Sequence, residues 1–168
     1  MKAIELHAEP LTREAFAPFG DVIDARGVAG VAINDGNALR FDDFCSVDVA
    51  TGGGHPRLAI FQVEAASSPL SLRLLERHPL GTQAFVPLAG QRFVVVVALP
   101  GLGPDELVPA QLRAFVTDGR QGTNYRRGTW HHPLLALDGG EFLVLDRGGP
   151  GVNGEVVPYE QHGVMVKP

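Results

Sequence analysis

Two short segments of the chain concentrate side chains that can bind a metal or transfer protons. The first reads ERHPLGTQAF (residues 76–85) and the second reads GTWHHP (residues 128–133). Together they supply one carboxylate, one amide and three imidazoles: Glu76, Gln83, His78, His131 and His132. Neutral imidazole and carboxylate suit nickel, zinc, manganese or iron, whereas a glutamine oxygen is a weak ligand. Without metal, the same groups can serve as general acid and base, because the pKa of histidine lies near neutral pH.

Strand parity predicts which of these side chains point the same way. If residues 70–78 form a strand, Glu76 and His78 share a face with Leu72 and Leu74. An apolar face that ends in Glu and His is typical of the mouth of a pocket in a β-barrel. The adjacent pair at 131–132 would point to opposite faces, so at most one of these two histidines is expected in the pocket.

The spacing of the two segments resembles the two motifs of cupin barrels. The first segment and its continuation have the pattern Glu-x-His-x4-Gln-x6-Gly, and the second has Gly-x2-His. The cupin motifs read His-x-His-x4-Glu-x6-Gly and Gly-x2-His. Glu76 therefore stands at the first histidine position and Gln83 at the glutamate position. The possible metal ligands are Glu76, His78, Gln83 and His131.

The bulk composition limits the function classes. The chain has 168 residues, 45% of them hydrophobic, which predicts one domain spanning residues 1–168. A formal charge of −5 without a run of Lys and Arg argues against a nucleic-acid partner. The longest apolar run, residues 93–99, is too short to cross a bilayer, so no membrane partner is expected. The single cysteine and the N-terminus without an apolar signal region predict a cytoplasmic protein.

The chain reads as mainly β after one short helix. Thr12 can cap that helix, whose apolar side is Ala15, Phe16 and Phe19, and residues 21–56 are predicted to be irregular apart from a turn at Asn34-Asp35-Gly36. Short apolar runs separated by turn residues then predict a β-sandwich or barrel. The predicted strands are Arg57–Val63, Leu70–His78, Phe93–Leu99, Leu112–Thr117, Thr129–Leu137, Glu141–Asp146 and Val152–Tyr159. Because Phe93–Leu99 is apolar on both faces, it needs cover on both sides, from a second sheet or from a partner subunit.

Several longer segments together resemble the ureidoglycolate lyase family, formerly called ureidoglycolate hydrolase. They are LTREAFAPFGDVI, AINDGNALRFDD, LERHPLGTQAFVPLAG, LRAFVTDGRQGTNYRRGTWHHPLLAL and FLVLDRGG. The resemblance implies a cupin-type double-stranded β-helix (jelly-roll barrel) with a short N-terminal helix, and a homodimer. It also implies cleavage of (S)-ureidoglycolate to glyoxylate and urea in allantoin breakdown, with a divalent transition metal such as nickel in a stimulatory rather than essential role. The residues that match the family's motifs are Asn34, Arg40, Glu76, His78, Gln83, Tyr125, Trp130 and His131.

The chemistry of that substrate suggests a role for each residue. Its reacting carbon bears a hydroxyl, a carboxylate and the urea nitrogen, so elimination needs a base, an acid and a cation. We expect His131 to be the base, and His78 or Glu76 to be its acid partner or orienter. Arg40 is expected to hold the carboxylate, because a guanidinium fork fits a carboxylate. The remaining substrate-binding candidates are Tyr125 and Asn34 on the urea and Trp130 as a pocket wall.

Other readings stay open at this level. If Glu76, His78, Gln83 and His131 bind a metal that polarises the hydroxyl, His131 cannot also carry the proton. The same substrate could instead be hydrolysed with release of ammonia. A non-catalytic cupin that senses a small organic acid, or a sugar-acid isomerase or epimerase of the cupin type, are further alternatives.

Overall fold

The computed structural model describes residues 3–168, and β-strands dominate that part of the chain. In chain order the strands are β1 (Ile4–Pro10), β2 (Gly20–Ile23), β3 (Val31–Ile33), β4 (Ala38–Arg40), β5 (His55–Val63), β6 (Leu70–Ser71), β7 (Leu74–Arg77), β8 (Gln83–Pro87), β9 (Phe93–Ala98), β10 (Arg113–Val116), β11 (Gly122–Tyr125), β12 (Trp130–His131), β13 (Leu135–Ala136), β14 (Gly140–Gly148), β15 (Glu155–Pro158) and β16 (Val164–Lys167). The α-helix α1 spans Arg13–Phe16, and single 3-10 turns occupy Thr51–Gly53, Pro104–Glu106, Pro109–Gln111 and Glu160–His162.

Two large sheets face each other and enclose the main core. Nine strands form a curled sheet in the order β15-β7-β12-β9-β10-β1-β16-β6, with β13 joined to β9. Five strands form the second sheet in the order β2-β11-β8-β14-β5, and β3 and β4 form a separate hairpin. Large apolar side chains from both sheets pack together between them, among them Phe85, Phe93, Val95, Phe115 and Phe142. This curled, mainly β architecture with one short helix is a cupin-type β fold, as the sequence predicts.

The helix begins and ends where the sequence predicts. The Thr12 hydroxyl accepts a hydrogen bond from the Ala15 N–H at 3.2 Å, which caps the first turn. Pro18 follows the last turn and cannot continue it. Phe16 is fully buried and meets Phe115 edge to face at 5.6 Å, so the helix closes the core at one end of the barrel.

Strand β9 is covered on both faces within the chain. Its odd residues Phe93, Val95 and Val97 lie in the core between the sheets. Its even residues, including Val94 and Val96, lie in a second core on the outer side of the nine-stranded sheet, which we call the outer core. The prediction of two-sided burial is confirmed, and the cover comes from this chain's own segments rather than from a partner.

Two predicted strands are interrupted, and one parity prediction is wrong. The run 70–78 divides into β6 and β7, because Leu72 N–H donates to Val164 O and Arg73 N–H to the His132 ring. Leu72 therefore lies in the outer core with Leu75, on the face opposite Glu76. The run 129–137 divides into β12 and β13 around a proline that lacks an N–H.

The stretch 21–56 is less irregular than predicted. It holds the end of β2, the β3–β4 hairpin and the beginning of β5. The prediction missed β2 because that strand is specified by pairing with β11, about a hundred residues further on. The predicted turn is confirmed, since Asn34, Asp35 and Gly36 all have left-handed backbone angles, with φ of 52°, 54° and 83°. Within residues 3–168 the structure has no helix long and apolar enough to span a membrane.

Candidate active site

Neighbouring strands of the nine-stranded sheet place Glu76 and His131 side by side. His131 on β12 lies opposite Glu76 of β7 on one side and opposite Val97 of β9 on the other. Val97 belongs to the core between the sheets, so residues at this register point into the barrel. His78 follows Glu76 by two positions and points the same way, as the parity of the strand predicts.

The three side chains form a compact cluster at one end of the barrel. His131 Nε2 lies 3.5 Å from Glu76 Oε1, and the ring centroids of His78 and His131 are 5.2 Å apart. The candidate ligand atoms of Glu76, His78 and His131 all lie within 4.8 Å of one another. His131 is almost fully buried, while the Glu76 side chain keeps 27% exposure, so the cluster is reached from one side.

Backbone carbonyls fix the tautomer of both histidines. His131 Nδ1 lies 2.9 Å from Thr129 O, and His78 Nδ1 lies 2.7 Å from Asn153 O. A carbonyl only accepts, so each Nδ1 carries the hydrogen and each Nε2 presents a lone pair to the cluster. Within residues 3–168 both Nε2 atoms are buried without a hydrogen-bond partner.

The opposite sheet contributes Gln83 and Tyr125. They lie opposite each other on β8 and β11, and the Tyr125 ring stacks on His131 with centroids 4.2 Å apart and planes at 17°. Burial raises the pKa of Tyr125, so its hydroxyl keeps its proton at neutral pH. Gln83 Oε1 is a further buried oxygen without a partner in the described part of the chain. The stack holds the His131 ring in place between the two sheets.

The cluster fits a divalent transition metal. Three atoms with free lone pairs converge, Glu76 Oε, His78 Nε2 and His131 Nε2, and Gln83 Oε1 is a further buried candidate ligand on the opposite sheet. The neighbouring His131 lowers the pKa of Glu76, outweighing the effect of burial, so Glu76 is a carboxylate at neutral pH. Imidazole nitrogens whose other N–H donates to a carbonyl, together with a carboxylate, are a common ligand set for nickel, zinc or iron.

Of the two adjacent histidines, only His131 joins the cluster. His132 Nδ1 lies 2.8 Å from Pro133 O and its Nε2 accepts from Arg73 N–H, so both ring nitrogens are engaged by backbone. Burial lowers the pKa of His132, which keeps the ring neutral. It lines a separate surface crevice of about 320 Å³.

The structure does not bring every candidate residue to the cluster. Trp130 lies on the other face of β12, in the outer core, where its Nε1–H donates to Leu102 O at 2.9 Å. Asn34 and Arg40 lie on the β3–β4 hairpin, which forms its own sheet. Arg40 is exposed and donates to Asp42 at 2.8 Å.

Sequence reasoning missed the groups that orient the histidines. Thr129 and Asn153 act through backbone carbonyls, which carry no signature in the sequence. Asn153 also accepts the Leu80 N–H through its side chain at 2.8 Å, which fixes the chain on both sides of Pro79. The only available signal was its place in a Gly- and Pro-rich loop, GGPGVNG.

The chain is similar to known proteins over nearly its whole length. The profile of the ureidoglycolate lyase family matches residues 3–167. The ureidoglycolate lyase of Burkholderia mallei (strain NCTC 10229) is 50% identical over 149 residues, covering 88% of this chain and 85% of that protein. The ureidoglycolate lyase of Burkholderia cepacia is 48% identical over 157 residues, covering 92% of this chain and 86% of that protein. The ureidoglycolate lyase of Stutzerimonas stutzeri (strain A1501) is 51% identical over 149 residues, covering 88% of this chain and 86% of that protein. A barrel with a Glu-His-His cluster at one end and a match of this extent lead to one conclusion: the chain belongs to the ureidoglycolate lyase family.

Proposed function

We propose that the cluster of Glu76, His78 and His131 eliminates urea from (S)-ureidoglycolate and releases glyoxylate. One observation supports the proposal beyond the family match: in the described part of the chain, two buried imidazoles present Nε2 atoms without hydrogen-bond partners beside an ionised carboxylate. A carbinolamide needs one group to take its hydroxyl proton and another to protonate the leaving nitrogen. Two imidazoles whose ring centroids are 5.2 Å apart suit that paired transfer.

His131 takes the hydroxyl proton at Nε2. Glu76 Oε1, 3.5 Å from that nitrogen, stabilises the resulting imidazolium, while Thr129 O holds the Nδ1–H. His78 Nε2 accepts this proton from His131 and delivers it to the urea nitrogen as the hydroxyl oxygen becomes a carbonyl and the carbon–nitrogen bond breaks. Both imidazoles end the step in their starting protonation state, so the step balances without another reactant.

Glu76, His78, His131 and Gln83 would hold a divalent metal such as nickel. When bound, the metal would supply Lewis-acid polarisation of the substrate hydroxyl. A histidine nitrogen that ligates a metal has no lone pair left for a proton, so the proton-transfer role of His131 belongs to the metal-free site. In both cases the Tyr125 stack and the Thr129 carbonyl orient the His131 ring.

The remaining substrate-binding candidates differ in how close they lie to the cluster. Tyr125 lies next to the cluster, and its hydroxyl can donate to the urea oxygen. The roles of Asn34, Arg40 and Trp130 stay predictions. Asn34 and Arg40 lie on the β3–β4 hairpin, which belongs to neither large sheet. To bind substrate, this hairpin would have to reach an active site from outside the barrel of its own chain.

The test measures both products of wild-type protein and of His131→Ala. We expect wild type to release urea and glyoxylate in equal amounts without ammonia. For H131A we expect kcat/KM to fall by about a hundredfold or more, the usual contribution of a principal base. A loss of less than about tenfold, which is 1.4 kcal/mol of barrier, would contradict the assignment.

His132→Gln is the matched control for that experiment. It changes the neighbouring imidazole, whose two ring nitrogens are engaged by backbone away from the cluster. We expect this variant to keep most of the wild-type kcat/KM. Ammonia in place of urea from the wild-type protein would instead identify hydrolysis.

The proposal also includes a homodimer that works in the cytoplasm. The outer face of β5 and β14 exposes apolar side chains, with Leu58 at 68% and Ile60 at 52% exposure. β5 is also an edge strand, paired only with β14 within residues 3–168. A second copy related by a two-fold axis could cover both the face and the edge. The single cysteine, which leaves no intrachain disulfide to form, is compatible with a reducing compartment.

A further inference from the structure

The five-stranded sheet carries a row of polar side chains at the level of the cluster. Tyr125 on β11 lies opposite Gln83 on β8. Next to β8, strand β14 pairs Leu145 with Ala84, so continuing the register by one residue places Asp146 opposite Gln83. Asp146 in turn lies opposite Arg57 on β5. The row therefore runs from the ring stacked on His131 to an arginine at the edge of the sheet.

This row faces the barrel interior. Two and four residues from Asp146, Val144 and Phe142 are fully buried in the core between the sheets, so Asp146 points to the same side. On β5 the residues at the parity of Arg57 behave alike, since Ala59 packs against that core and Phe61 meets Phe85 at 5.9 Å. Because neighbouring strands lie about 4.8 Å apart, Arg57 is about 10 Å from Gln83 across the sheet.

Arg57 is held rigidly but keeps donors to spare. Its Nε and Nη2 donate to Asp146 Oδ1 and Oδ2 at 2.9 and 3.0 Å, a two-bond fork. Asp146 is nearly buried, with 12% of its side chain exposed, whereas the Arg57 side chain is 59% exposed. In the described part of the chain Nη1 has no acceptor, so its two N–H groups are available to a ligand at the barrel mouth.

The other arginines near this level are already engaged. Arg113 lies opposite Val97 on the nine-stranded sheet, but it donates to Glu9 and to Ala15 O and lies over the Phe115 ring. Arg147 is buried, and its guanidinium donates only to backbone carbonyls. Arg57 is thus the inward-facing guanidinium at this level with free N–H groups, as far as residues 3–168 show.

We infer that Arg57, oriented by Asp146, binds the carboxylate of the substrate at the mouth of the barrel. The inference rests on the proposed function, because ureidoglycolate and the product glyoxylate both carry a carboxylate, and a cation in the site would bind it. Asp146 fixes the fork through two of its donors, and the carboxylate accepts from Nη1. The reacting carbon then lies between Arg57 on one sheet and the His131 cluster on the other.

The test separates charge recognition from catalysis. For Arg57→Gln we expect KM for (S)-ureidoglycolate to rise about tenfold or more, since a hydrogen bond to a charged group is lost, with little change in kcat. We expect inhibition by glyoxylate, a carboxylate, to weaken by a similar factor. Inhibition by urea, which has no charge, should stay as in wild type. Arg57→Lys should recover only part of the loss, because an ammonium lacks the fork.

Arg92→Gln is the matched control. Arg92 is about as exposed as Arg57 and makes the same two-bond fork, with Asp138, at a turn away from the cluster. We expect its KM and both inhibition constants to equal those of wild type. The Arg40→Gln variant is assayed in parallel.

Two outcomes would overturn the inference. One is an R57Q variant whose glyoxylate and urea inhibition constants are both unchanged or change by equal factors. The other is a charge-specific loss in R40Q and none in R57Q, which would assign the carboxylate to the hairpin. Calorimetric binding of glyoxylate to wild type and R57Q gives the same answer without turnover, so a failure of the proposed reaction can be told apart from a failure at Arg57.

Discussion

At the scale of single residues, the site is defined by which atoms lack a hydrogen. Both cluster histidines give their Nδ1–H to a carbonyl, and Glu76 is ionised, with its pKa lowered further by the neighbouring His131. The cluster therefore consists of acceptors alone. Such a set suits a proton, a substrate hydroxyl or a metal ion as its partner.

A metal-binding prediction follows at the same scale. Calorimetric titration with Ni²⁺ should show one site per chain, and Glu76→Gln should weaken the affinity by more than about tenfold, since even changes behind the ligands cost 10- to 100-fold. His162→Gln, which changes an imidazole stacked on Tyr159 outside the cluster, is the control. Equal affinity in wild type and E76Q would show that Glu76 is not a ligand.

At the scale of elements, the two faces of the β5–β14 strand pair have different roles. The inner face carries Arg57 and Asp146 to the barrel mouth and packs Val144 in the core. The outer face exposes the apolar side chains of Leu58 and Ile60. The strand pair is the most extensive among residues 3–168, with nine residue pairs in register. A long pair with an apolar outer face and an open edge is a favourable surface for a second copy.

The dimer prediction concerns that outer face. Sedimentation of wild type at micromolar concentration should give a dimer, and the double change Leu58→Glu with Ile60→Glu should give a monomer, because charges replace the apolar contact. Val152→Glu, at a loop position that is 83% exposed, is the control and should remain dimeric. A monomeric wild type would contradict the proposed homodimer.

At the scale of the whole molecule, ion pairs join turns that are distant in sequence. Arg26 bridges Asp24 and Asp118, both at 2.7 Å, and Arg92 holds Asp138. Hydrogen bonds from these arginines lower the pKa of all three carboxyls, that of Asp138 to about 2. The two large sheets share one core, so we propose that residues 1–168 unfold as one cooperative domain.

The decrease in unfolding free energy at acid pH should depend on these ion pairs. A carboxyl whose pKa is lowered by folding contributes stability above its unfolded pKa of about 3.9, and that contribution is lost as the pH falls through the folded value. The difference in unfolding free energy between wild type and Arg92→Gln should therefore be present at pH 6 and shrink between about pH 4 and pH 2. Guanidinium unfolding of both proteins at several pH values measures this difference in unfolding free energy. A difference that does not vary with pH would show that Asp138 gains nothing from Arg92.

The sequence by itself determined the cluster and the type of fold. Glu76, His78 and His131 could be selected because strand parity and the spacing of two segments are local properties. The apolar pattern of β9 likewise predicted burial on both faces. Only the tertiary structure decided that Trp130 packs in the outer core. It also paired Arg57 with Asp146, 89 residues later in the chain. That pairing depends on strand register and sheet order, which arise from packing of distant segments, and so no local pattern in the sequence could specify it.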